Sequence, residues 1–308
     1  MSLFDKFFFT TKVPKNSLKY WFFHFVAYSR RKIPIQLMFF IFNSNKEKCY
    51  LKYNNSRNVK TRNDSIVVGW FFDKKITRLY PQKVVAEFEG NKIICKSKKF
   101  YLALKKKGKN LELKIAYLRH KIYILTSKKT KSKNGEYDSA LLNTISSISQ
   151  TYLTKAKING KYLTGNLFIQ SIKSWLALPW DWCRISFSDK SYLGLSAFYL
   201  FTKKLRVVTT LNFYNAYEKK FYKFSIKKLR FHRGSWFIEA KNSSNWLFVE
   251  LKTLSLEHFK FATFTTFNYN EHIVLVKNIR FKVSGKWKNL NRLGIGSGIL
   301  EDTNGLLF

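Results

Sequence analysis

A chain of 308 residues, 45% of them hydrophobic, carries enough apolar mass for two ordinary domains or one large β domain, which argues against wholesale disorder. Its 57 Lys and Arg against 18 Asp and Glu give a net charge of +39, a field that attracts anionic partners without naming one. Cys49, Cys95 and Cys183 stand alone with no CxxC spacing, which argues against a disulfide framework and a cysteine zinc site.

The opening stretch MSLFDKFFFTTKVPK has a Phe cluster but not the apolar length of a secretory signal. The longest apolar runs, such as Ile33–Phe42 and Leu193–Phe201, fall short of a bilayer span. A soluble, cytoplasmic protein is expected, peripheral to a membrane where its charge meets anionic lipid. Strand-like runs then follow one another. Trp21–Tyr28, Ile35–Phe42, Ser65–Phe72, Val84–Glu89, Lys92–Cys95 and Leu111–Tyr117 fill the first half. Tyr162–Gln170, Cys183–Phe187, Leu193–Phe201, Arg206–Phe213 and Phe221–Ile226 continue the series. Trp236–Ala240, Leu247–Leu251, Ile273–Val276 and Arg280–Val283 close it. They are rich in aromatic and β-branched residues and are separated by turns such as Glu89-Gly90-Asn91, Asn159-Gly160 and Ser188-Asp189. The pattern predicts an all-β, antiparallel sandwich or barrel. Leu141–Ala156 is the segment expected to be helical or irregular. The polar, basic stretch Thr126–Gly135 marks a boundary between β domains at 1–150 and 151–308, the alternative being an exposed loop within a single sheet.

The densest chemistry lies in WLALPWDWCRISFSDKSYLGLSAFYLF, Trp175 to Phe201. In an extended chain Trp180 and Trp182 point one way and Asp181 the other. Four segments, in order, resemble the lipocalin-like family of carotenoid 1,2-hydratase (hydroxyneurosporene synthase) and AttH-type proteins. Lys19-Tyr20-Trp21-Phe22-Phe23-His24-Phe25, followed by Gln36-Leu37-Met38-Phe39-Phe40, is similar to the family's opening E-W-W-Y-F-h strand and the apolar strand after it. Gly165-Asn166-Leu167 through Trp175, then Trp180-Asp181-Trp182 and Phe187-Ser188-Asp189-Lys190, resembles its G-x-a-W-x-D-H-x-W-G region, W-D-W and D-D-G hairpin. Tyr269-Asn270-Glu271-His272 stands where the family has Y-W-E-G, and Gly296 to Glu301 looks like its closing G-x-G-Y-x-E. Their order and spacing carry the resemblance, which spans almost the whole chain.

The resemblance implies two consecutive lipocalin-like, calycin-type antiparallel β-barrels with an apolar cavity and no cofactor. Family members bind or act on isoprenoids and other polyene or polycyclic molecules, by hydration or cyclisation started at a protonated double bond, or by holding the substrate folded. A carboxyl group kept protonated by burial serves that chemistry, and aromatic faces stabilise a developing carbocation. The departure falls at the family's D-H pair, replaced here by Leu176-Ala177-Leu178; Lys19-Tyr20 likewise takes the place of the first-strand carboxylate. What remains suits binding or templating better than acid-started hydration.

The candidate acids are Asp181 and Glu271, and the candidate ligand-binding residues are Trp21, His24, Trp175, Trp180, Trp182, Tyr269 and Glu301. Each has a plainer reading. Asp181 could serve a turn or pair with Arg184, Glu271 could sit on an exposed strand end, and His24 could be a satisfied half-buried histidine. His120, His232, His258 and His272 show no metal-ligand spacing, so no metal is expected. No P-loop, nucleophile elbow or dinucleotide fingerprint is present. The expected role is binding, with hydration, cyclisation or isomerisation, of an isoprenoid or other lipid-like molecule. The alternatives are a non-catalytic lipid carrier and a basic nucleic-acid or ribonucleoprotein subunit, the latter resting on charge alone.

Overall fold

The computed structural model describes residues 3–10, 13, 15–29, 33–61, 64–129, 138–140, 145–200, 203, 205–283 and 286–307. The chain forms two compact units, the first being Met1–Ala177 with Phe261–Phe264 and Phe308, the second Leu178–Lys260 with Thr265–Leu307. Among the described residues no helix is long and apolar enough to cross a membrane.

The first unit opens with a short helix, α1 (Leu3–Phe8), and continues through β1 (Leu18–Tyr28), β2 (Pro34–Ser44), β3 (Tyr50–Tyr53), β4 (Val59–Lys60), β5 (Ser65–Asp73) and β6 (Lys75–Glu89). It goes on with β7 (Lys92–Ser97), β8 (Phe100–Lys107), β9 (Asn110–Tyr117), β10 (His120–Lys129), β11 (Asp138–Ala140), β12 (Ile145–Ile158) and β13 (Lys161–Ser174). Apart from the β3–β4 hairpin, these strands make one antiparallel sheet in the order β10-β9-β8-β7-β6-β5-β2-β1-β13-β12-β11, closed into a barrel by pairing of β10 with β12. Alternation fills the barrel: Trp21, Phe23, Phe25, Leu37, Phe39 and Ile41 point into the core, with Phe39 against Phe100 at 5.6 Å. The other face of β1 and β2 is buried as well, with Phe22 packed on Phe40 at 5.0 Å and on Phe168 at 6.0 Å. Burial on both faces is why these strands read as unbroken apolar runs.

The N-terminal Phe cluster is the helix α1, whose Phe4 and Phe8, followed by Phe9, enter the first core. Its last carbonyls, which a helix end leaves unpaired, accept hydrogen bonds from strand side chains. Trp21 Nε1 donates to Phe8 O at 2.6 Å, and Lys19 Nζ to Phe7 O at 2.6 Å and Thr10 O at 2.8 Å. Burial, with Lys173 adding repulsion, pulls the Lys19 ammonium down to about 7.

Two expectations meet a different arrangement. Of Leu141–Ala156, expected to be helical or irregular, residues 145–156 belong to strand β12 and 141–144 lie outside the described residues. Ile148, Tyr152 and Ala156 reach the core at intervals of four, a spacing strands and helices share; Gln150 and Thr154, on the same side, break the alternation that would have shown a strand. The boundary expected near residue 150 falls inside β12, which pairs with β10, β11 and β13 of the first unit. Of the basic segment, Thr126–Lys129 continues β10, and 130–135 lies outside the described residues.

The second unit comprises β14 (Trp180–Phe187), β15 (Tyr192–Tyr199), β16 (Arg206–Asn215), β17 (Lys220–His232), β18 (Ser235–Lys241), β19 (Trp246–Ala262), β20 (Thr266–Val283), β21 (Lys286–Asn289) and β22 (Gly296–Gly305). They run in the order β21-β20-β22-β14-β15-β16-β17-β18-β19, and pairing of β19 with β20 closes a second antiparallel barrel. The close approach of β22 to β14 depends on Gly298, where an added methyl would collide with the Arg184 carbonyl. Gly298→Ala should therefore cost about 1–3 kcal/mol, read as a lower midpoint in chemical unfolding.

Candidate functional site

β14 starts after Pro179 and alternates strictly. Cys183, Ile185 and Phe187 point into the second core, so Asp181, on the same side, faces the interior at the barrel's end. The register places Asp181 beside Asp302 of β22, and Asp302 beside Asn270 of β20. Asn270 Oδ1 in turn lies 2.7 Å from His258 Nδ1. A polar belt thus crosses neighbouring strands at one level, above an apolar interior.

Asp181 is 3% exposed, accepts a hydrogen bond from the Tyr199 hydroxyl, and lies 2.5 Å from Lys203 Nζ, which also pairs with Asp302. Burial raises the Asp181 carboxyl above its usual range and the Asp302 charge adds to this, while Lys203 and Tyr199 oppose. Two carboxylates here share one ammonium. One level deeper, His272 bonds Thr253 Oγ1 at 3.2 Å and stacks edge-on against Trp236 at 5.3 Å. Burial lowers His272 to about 4, so it is a neutral imidazole at physiological pH. The Trp236 Nε1, buried in the same interior, has no hydrogen-bond partner among the described residues.

The opposite face of the same strands gathers the other expected residues. Glu271 and Glu301 stand directly across from each other on β20 and β22, at 0% and 7% exposure, and Trp182 pairs in register with Glu301. Trp180 Nε1 donates to Glu301 Oε2 at 2.7 Å and the Tyr269 hydroxyl to Glu271 Oε2 at 3.0 Å. Phe267 lies 5.0 Å from Trp180, and Phe259 lies 5.4 Å from Tyr269. Burial pushes the Glu301 carboxyl up to about 7 against the pull of the Tyr269 and Trp180 donors. A carboxyl whose folded pKa exceeds its unfolded value costs stability as pH rises from about 4.5 to about 7, and the cost persists above that. Glu301→Gln is expected to raise the melting temperature at pH 8 and leave it nearly unchanged at pH 4, where both forms are neutral.

Of the expected residues in the first unit, Trp21 lies inside its barrel, His24 is buried on the other face with Nε2 3.1 Å from Gln36 Oε1, and Trp175 is 59% exposed. These three do not converge. Arg184 sits on the face away from Asp181, its guanidinium 4.3 Å from the Tyr192 ring, so the cation that meets Asp181 is Lys203. Sequence reasoning did not single out Tyr199, Lys203, Asp302 or Trp236. Asp302 and Tyr199 carried a partial signal, since alternation with Leu300 and with Ala197 turns them inward; a lysine in a turn of so basic a chain carried none. Among the described residues no three His, Cys, Asp or Glu side chains converge as a metal site requires.

No protein-family model and no curated protein matches the chain. Solved structures do. A protein assigned as AttH from Nitrosomonas europaea superposes with a TM-score of 0.54 at 10% identity, over 98% of this chain and 96% of that one. Kievitone hydratase from Nectria haematococca superposes with a TM-score of 0.51 at 8% identity, over 92% of this chain and 87% of that one. At such identities the likeness is one of fold, and it extends over both units. The chain therefore has the lipocalin-like, two-barrel architecture shared by AttH and kievitone hydratase.

Proposed function

We propose that the chain binds a lipid-like or isoprenoid-like molecule in its second barrel and that Asp181 starts hydration or cyclisation of a double bond held there. The observation that carries this reading is the Asp181–Tyr199–Lys203–Asp302 cluster at one end of an apolar barrel. Such a carboxyl gives its proton to an alkene carbon, the π electrons forming the new C–H bond. The neighbouring carbon, now electron-poor, is met by aromatic faces. Water adds there and returns a proton to the carboxylate, which Lys203 stabilises in the meantime; alternatively the π electrons of a second double bond form a C–C bond that closes a ring, and the cation left on that double bond's other carbon loses an adjacent proton to the carboxylate. The Trp236 N–H, without a hydrogen-bond partner among the described residues, supplies a donor for a polar group of the substrate. Kievitone hydratase, of the same fold, is named for addition of water, which supports the reaction class.

A second reading, binding without turnover, is favoured by the aliphatic Leu176-Ala177-Leu178 where the resemblance implies an acid pair. Both readings share the first test. Retinol, a fluorescent isoprenoid, should bind saturably at one per chain with an affinity indifferent to salt, since apolar burial does not weaken as salt rises. Absence of saturable binding, or binding lost with rising salt, overturns the shared reading.

A further inference from the structure

The outward wall of the second barrel carries a continuous stack that the barrel interior does not use. The Arg230 guanidinium of β17 lies 5.3 Å from the Phe237 ring of β18, and Phe237 lies 6.5 Å from Phe248 of β19. Arg280 of β20 lies 4.6 Å from the Phe248 ring and 5.4 Å from the Trp287 ring of β21. Cation, ring, ring, cation and ring thus cross five strands in order. Neither arginine has a carboxylate partner among the described residues, and the Arg280 Nε is buried without a hydrogen bond. Glu250, an acid on this wall, is engaged by Lys277 at 3.0 Å. Trp287 is 46% exposed, and Phe237 and Phe248 are half-buried.

From this we infer that the wall formed by β17–β21 binds single-stranded nucleic acid, with a base stacked on the exposed Trp287 ring and phosphates held by Arg230 and Arg280, whose guanidiniums the Phe237 and Phe248 rings support. Every base has a π-face, so ring stacking is sequence-tolerant, and guanidiniums meet phosphate oxygens in a planar fork. The +39 charge supplies the long-range attraction and the stack supplies the place. An anionic bilayer would draw on the same charge, but it makes no use of a row of alternating guanidiniums and rings set in order across five strands. The occupant is separate from the molecule proposed for the barrel interior.

Fluorescence anisotropy of labelled oligothymidylate and oligouridylate against salt tests this on the full chain. Trp287→Ala removes an exposed ring without disturbing the core and should weaken binding about tenfold. Arg230→Gln with Arg280→Gln should weaken it at least as much and flatten the slope of log affinity against log salt by about 1.4, two phosphate contacts fewer. Lys105→Gln with Lys121→Gln removes the same charge from exposed positions on the first barrel and should change affinity less than threefold. The inference is overturned if that control pair weakens binding as much as the arginine pair. It is equally overturned if no oligonucleotide binds at low salt, or if Trp287→Ala abolishes binding to phosphatidylserine vesicles and leaves oligonucleotide binding intact.

Discussion

Trp21→Ala is expected to destabilise the first unit by about 3–5 kcal/mol, the range for removing a large aromatic side chain from a packed core. Trp21 is 0% exposed, lies 4.6 Å from Phe88, and its indole N–H holds the helix α1 through Phe8 O. Truncation leaves a cavity and also frees the carbonyl that the indole satisfied, so α1 loses a tie to the barrel. Denaturant titration should show an early transition from the first unit. Trp175→Ala, at a side chain more than half exposed, should shift stability by less than about 0.5 kcal/mol. The contrast separates two tryptophans that the sequence offered alike as candidate ligand-binding residues. If retinol binding falls with Trp21→Ala while the fold is intact, Trp21 has a ligand role beyond its packing.

Asp181→Asn is the second large effect. As the proton donor, Asp181 should be worth about 10²–10⁴ in turnover, the usual span for a positioned general acid. Asparagine keeps the shape, with its Oδ1 accepting from Lys203 and its amide N–H donating to the Tyr199 hydroxyl oxygen, so retinol affinity should change little. With the acidic form active, the wild-type rate should fall as pH rises through the Asp181 pKa, which burial holds above the ordinary carboxylate range. The variant should lose that dependence. Unchanged turnover in Asp181→Asn, with loss in Glu301→Gln, would move the acid to the opposite face of the same strands.

Much of the fold was legible because period-2 alternation is stated directly in the residues. Trp180-Asp181-Trp182 shows why: an extended chain divides them between two faces, and β14 puts Asp181 inside with Cys183 and Ile185. The expected strand runs, from Trp21–Tyr28 to Arg280–Val283, fall within strands of the two barrels, except that Leu193–Phe201 overruns β15, which ends at Tyr199; Phe201 lies outside the described residues. The lipocalin-like architecture followed from the order of four weak landmarks and is matched by the AttH and kievitone hydratase structures. Less legible was β12, where Gln150 and Thr154 interrupt the inner face and mimic a helical spacing. The helix α1 was hidden in a Phe cluster too short for a periodic signal; its packing on Trp21 and the bonds from Lys19 define it. The candidate site was half legible for a related reason. Strand parity gathers Glu271, Glu301, Tyr269, Trp180 and Trp182 on one face, but the partners of Asp181 come from a turn and from a distant strand. Pairing across such separations is set by register, which single-strand patterns do not contain.

Native mass spectrometry of the protein purified from its own source, followed by organic extraction of what it carries, tests the central claim most directly. The account predicts one apolar molecule per chain, a polyene, terpenoid or other lipid-like compound, retained in high salt and released by solvent. A bare protein mass in every preparation, with no apolar compound extracted, would contradict it.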